Sequence, residues 1–121
     1  MNNIIKLSLI FIFIDFIWIF NNINTYNNLA LLIQGENVLI NCKKIISGLL
    51  IYFFLILGMY KFVINDKNDN SNSIIYGAVV YGVYSFTNYL LFKKYPLKLA
   101  IIDTLWGCVL CYLTKYFYFK Y

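Results

Sequence analysis

A chain of 121 residues has room for one domain. Its 62% apolar and 12% charged residues exclude a water-soluble globular domain, which carries about 25% charged and about 45–50% apolar residues. The net charge of +5 comes from ten lysines against five acids, with no arginine and no histidine. Those lysines gather at the ends of apolar stretches and suit lipid headgroups; no basic patch interleaves with exposed aromatics, which excludes a nucleic-acid partner.

The first apolar stretch, residues 4–20, carries Lys6 at its start and could be a signal peptide. Asp15 in its middle and the bulky Trp18, Ile19 and Phe20 argue against cleavage, which prefers small residues, so a retained helix is expected. Residues 21–44 form the longest connection, and their semi-apolar centre, 29–40, is expected to lie along the membrane interface. Cys42 precedes Lys43 and Lys44 at a membrane boundary, where reversible palmitoylation occurs, and is the candidate lipidation site.

The second stretch, 45–64, is followed by a polar loop, 65–73 (NDKNDNSNS). The third, 74–92, offers Ala78 and Gly82 and then Ser85, small residues whose spacing lets another helix approach closely, with Tyr81, Tyr84 and Asn88 on the adjacent face. Lys93, Lys94, Tyr95 and Pro96 make the next turn, and Pro96 suits the first turn of a helix. The fourth stretch, 97–118, holds Asp103, Trp106 and Gly107, the last a second small packing position. Cys108 and Cys111 form a C-x-x-C, but without histidine or a second pair they are read as packing residues and no metal site is expected. The aromatic run Tyr112, Tyr116, Phe117, Tyr118, Phe119 and Tyr121 suits an interfacial belt.

Each stretch is close to the roughly 17–25 residues that cross a hydrocarbon core. Backbone polar groups must be satisfied within lipid, and strand-like alternation is absent, so helices are the expected solution. The fold class is all-α: a polytopic four-transmembrane-helix bundle, with residues 1–121 as one integral membrane domain. Four spans place both termini on one side. Lys6, Lys61, Lys67, Lys115 and Lys120 fall on that side, and Lys43, Lys44, Lys93, Lys94 and Lys98 on the other. The lysines tie, so the positive-inside rule assigns no orientation and no particular host membrane.

Asp15 lies near the end of the first span and Asp103 near the start of the fourth, so both carboxyls share roughly one depth. Ser85 and Asn88 of the third span and Ser47 and Tyr52 of the second fall in the same leaflet. Each aspartate is followed three residues later by tryptophan (Asp15 with Trp18, Asp103 with Trp106), which shares its helix face. An indole N–H can donate to a carboxylate, which allows a pin within each helix.

The run Tyr84-Ser85-Phe86-Thr87-Asn88, then Lys93 and Pro96, then Asp103-Thr104-Leu105-Trp106-Gly107, resembles the signature half of domain-of-unknown-function family 2177. These are small four-helix membrane proteins found in bacteria and large DNA viruses. Asp15 to Trp18 and the pair Tyr52-Phe53 fit the same pattern. The resemblance implies the four-helix fold, and a virion or host-cell membrane if the source is viral. It brings no activity, cofactor or mechanism. The family usually has aspartate where this chain has Ser85, so any activity that needs that carboxyl would be lost or altered here.

Three functions are open to the polar layer. The leading expectation is a non-enzymatic structural or interaction protein, without cofactor, whose partners are the bilayer, other membrane proteins or a second copy. The rival is a small transporter or channel-like protein in which the layer binds a cation or proton. The third is a membrane-embedded enzyme in which Asp15 and Asp103 share a proton.

Overall fold

An α-helix of twenty residues rises about 30 Å, the thickness of a hydrocarbon core. The computed structural model describes residues 2–36, 41–65 and 68–120 and forms four helices of that order. They are α1 (Asn2–Asn21), α3 (Cys42–Phe62), α4 (Ser71–Leu91) and α5 (Leu97–Lys120); a shorter helix, α2 (Ile23–Gln34), follows α1 directly. No strand occurs among the described residues. All four long helices have the length and apolar composition of membrane spans. Residues 37–40, Asp66, Lys67 and Tyr121, which belong to the expected interfacial segment, loop and aromatic belt, lie outside the described residues.

The helix bounds follow local capping. α3 starts earlier than the apolar pattern because Asn41 Oδ1 accepts from the Lys44 amide at 3.0 Å, satisfying a free N–H of the first turn. α4 also starts early. Asp69 Oδ1 accepts from the Ser71 amide at 3.1 Å and from Ser71 Oγ at 2.6 Å. α5 begins at Leu97, and the carbonyl of Pro96 accepts from the Ala100 amide at 3.3 Å. α2 ends at Gly35, whose φ of 76° is the left-handed conformation that favours glycine.

Lipid gives apolar surfaces little reason to avoid it, so small residues and interhelical hydrogen bonds decide the packing. α4 and α5 make the closest pair. A Cβ on Gly77 would stand 2.1 Å from the Gly107 carbonyl oxygen, so the two backbones touch there. A Cβ on Gly82 would meet Thr104 Cγ2 at 3.5 Å, an ordinary contact, and Ala78 is half-buried. The closest approach is therefore at Gly77, one residue before the expected Ala78–Gly82 face, with Gly107 as its partner. Gly58 of α3 leaves room for the Tyr76 hydroxyl of α4, which donates to the Leu55 carbonyl at 2.7 Å.

Two apolar clusters result. The larger joins Leu7 and Phe11 of α1, Leu55 and Met59 of α3, and Leu110 and Cys111 of α5. It fills the half of the bundle on the side of the N-terminus of α1 and the C-terminus of α5. The smaller joins Tyr95, Leu99 and Ala100 to Leu29 and Ile33 of α2 on the other side. The remaining surface is apolar and exposed, with α3 presenting Leu49, Phe53 and Phe54 outward as a lipid-facing helix does.

Candidate functional site

Asp15 lies six residues from the end of α1 and Asp103 six residues from the start of α5, about 9 Å inside each helix end. Their side chains are 7% and 6% exposed, so both carboxyls need partners within the protein. Asp15 Oδ2 accepts from the Tyr52 hydroxyl of α3 at 2.6 Å, and its Oδ1 accepts from Trp106 Nε1 of α5 at 3.2 Å. Asp103 Oδ1 accepts from the Tyr26 hydroxyl of α2 at 3.1 Å. Tyr26 Oη in turn accepts from Trp18 Nε1 of α1 at 2.9 Å.

The pairing is crossed. Neither indole bonds to the aspartate three residues before it, as a pin within each helix would require. Trp106 serves Asp15 on α1, and Trp18 serves Asp103 through Tyr26. The two indoles stack on each other, centroids 4.5 Å apart and planes at 10°. One chain of contacts thus runs Asp15, Trp106, Trp18, Tyr26, Asp103 and joins α1, α2 and α5, with α3 attached through Tyr52. Burial pushes the Tyr26 phenol above its ordinary range, opposed by the Trp18 hydrogen bond and reinforced by the Asp103 charge. Tyr26 therefore remains a neutral donor.

The other expected members divide. Asn88 and Ser85 approach the hydroxyl of Tyr95, whose pKa is raised by burial and by Asp103. The Ser85 approach falls short of hydrogen-bond geometry, leaving its Oγ as a fully buried oxygen without a partner among the described residues. Among the described residues Asn88 makes no hydrogen bond to either aspartate, whose donors are Tyr52, Trp106 and Tyr26. Ser47 and Tyr84 are exposed, as is Cys42 at the first position of α3. Cys111 is fully buried in the larger apolar cluster, and Cys108 is half-buried beside Gly77.

The sequence pattern gave no sign of Tyr26, which arrives from the connection between spans, or of Tyr95 as a buried neighbour of Asp103. Lys115 likewise carries no sequence signal of burial. It is 2% exposed, and its Nζ donates to the Asp69 carbonyl and, at 2.9 Å, to Asn72 Oδ1. Asn72 Nδ2 donates to the Val63 carbonyl at 3.2 Å. A lysine of α5 thereby fastens the α3–α4 connection. On the same side, Lys6 Nζ lies 5.1 Å from the centre of the Tyr118 ring and Lys120 Nζ 5.5 Å from that of Tyr116, within cation–π range.

A family model described as "Predicted membrane protein (DUF2177)" matches residues 1–119. The chain belongs to that family. Membership agrees with the four apolar helices and places the protein in a membrane as an integral component. No curated protein and no solved structure matches the chain. The family description names no substrate and no activity.

Proposed function

We infer that this family member is a non-catalytic membrane protein whose crossed aspartate–tryptophan–tyrosine network locks the helix bundle. The locked bundle presents its outer faces to lipid and to other membrane proteins or a second copy. The crossed pairing carries this reading: each carboxylate is held by neutral donors from other elements. Hydrogen bonds between membrane helices contribute on average about 0.6 kcal/mol and at most about 1.7 kcal/mol each, enough in sum to fix helix rotation.

The two rival functions fit less well. A conducting path needs polar groups along the membrane normal, whereas this network runs within one layer. The other half of the bundle is filled by the fully buried Leu7, Phe11, Met59 and Leu110. A carboxyl dyad needs a shared proton, and no hydrogen bond joins Asp15 to Asp103; each is engaged by its own donors.

The test combines replacement with flux. Asp103→Asn keeps an acceptor for Tyr26 and is expected to accumulate and fold as the unmodified protein does, whereas Asp103→Leu is expected to be destabilised. Liposomes containing the unmodified protein should show proton and alkali-cation flux equal to protein-free liposomes. Flux above that background, abolished by Asp103→Asn, would replace the locking role with transport.

A further inference from the structure

A groove of about 370 Å³ opens between α2 and the first turns of α5, within the size range of small-molecule sites. Its lining is ordered by depth. Lys98 is the second residue of α5, at the end of that candidate span, and Ile102 lies one helical turn further in. Asn22 and Asn28 add polar groups to the lining, while Leu29 and Leu99 supply apolar walls. A smaller recess against α2, lined by Ile33 and Phe92, carries Lys93 and Lys94. A cation at the boundary above an apolar wall matches an amphiphile with an anionic headgroup at the surface and an acyl chain below it. Basic pockets between membrane helices bind phosphate-bearing headgroups through this complementarity.

We propose that the α2–α5 groove is a binding site for an anionic phospholipid, with Lys98 holding the headgroup phosphate and Leu29, Leu99 and Ile102 flanking the first part of an acyl chain. Trp18 and Tyr26 line the same groove, so the bound lipid lies against the crossed network and braces α2 on α5. The site does not depend on the network being non-catalytic, because the groove and its charge are the same under either reading.

Trp18 also makes the site observable, since the chain has only two tryptophans and they stack on each other. The protein is reconstituted in phosphatidylcholine vesicles containing equal fractions of brominated phosphatidylglycerol or brominated phosphatidylcholine, and quenching of tryptophan fluorescence is read. One lysine at an anionic headgroup contributes about 1 kcal/mol, so phosphatidylglycerol should be preferred about fivefold. Lys98→Ala should remove that preference, Lys98→Arg should keep it, and Lys44→Ala, in the exposed first turn of α3, should leave it unchanged. Equal quenching by the two lipids in the unmodified protein overturns the proposal, as does a preference that survives Lys98→Ala. Equal quenching by the two lipids, together with a tryptophan fluorescence change on adding soluble glycerol phosphate that Lys98→Ala removes, would identify a free phosphate as the ligand and overturn the lipid assignment.

Discussion

The indole of Trp18 lies flat on that of Trp106, with centroids 4.5 Å apart. Each indole then directs its N–H away from the aspartate of its own helix. The stack holds α1 to α5, and the two N–H groups reach acceptors on different elements, Asp15 of α1 and Tyr26 of α2. Trp106→Phe should preserve the stack but leave Asp15 with Tyr52 alone, and Trp18→Phe should release Tyr26. Each should lower stability in detergent by about 0.6–1.7 kcal/mol, the range for hydrogen bonds between membrane helices. Tyr84→Phe, at a side chain 63% exposed, should change nothing. Thermal unfolding of the three variants is the comparison.

Gly77 tests the contact between α4 and α5. Gly77→Ala drives a methyl into the Gly107 backbone and should cost about 1–3 kcal/mol through overpacking. Gly82→Ala adds a methyl at ordinary distance from Thr104, and Gly48→Ala adds one to open space. Both should be neutral or stabilising by up to about 1 kcal/mol, because alanine is the better helix former. Equal losses at positions 77 and 48 would contradict the close crossing.

Lys115 tests the α3–α4 connection. Lys115→Met keeps the apolar stem of the side chain but removes its ammonium, leaving the Asp69 carbonyl and Asn72 Oδ1 without their donor. Each of these part-buried hydrogen bonds contributes about 0.5–1.5 kcal/mol. Limited proteolysis should cut the connection faster in this variant than in Lys120→Met, whose lysine is exposed at the last position of α5.

The same connection has a pH signature. The hydrogen bond from the Ser71 side chain is the main reason the Asp69 carboxyl titrates below its ordinary value of 3.8. A lowered carboxyl favours the folded turn above the ordinary value, and that contribution is lost as pH falls through the lowered one. The Ser71 amide resonance should therefore titrate with a midpoint below 3.8, and Asp69→Asn should abolish the titration. A midpoint at or above the ordinary value would contradict the capping geometry.

The four spans were legible because length and apolar content leave a membrane chain little choice. The polar depth was legible too, since Asp15 and Asp103 sit the same distance from the ends of antiparallel helices. The partners were not. A spacing of three places Trp18 on the face of Asp15, but says nothing of how that face is rotated toward α5, and the rotation decides which acceptor the indole meets. Tyr26 was hidden because α2, rich in asparagine and only twelve residues long, looks like connection and not like an element that reaches the core. Gly77 could have been found: Ser73, Gly77 and Ser85 recur at multiples of four and are all buried, whereas the expected face ran through Ala78. By sequence Lys115 sits three residues from the end of an apolar stretch, a boundary position, yet α5 continues to Lys120 and carries it inside.

Two tryptophans make the crossed pairing directly measurable. In a ¹⁵N spectrum of the protein in detergent micelles, Trp18 and Trp106 give two indole N–H peaks, assigned by Trp18→Phe and Trp106→Phe. Asp15→Asn weakens the acceptor of Trp106 and should move the Trp106 peak most, while Tyr26→Phe should move the Trp18 peak most. If Asp15→Asn instead moves Trp18 most and Asp103→Asn moves Trp106 most, each indole serves its own helix, and the crossed network does not exist.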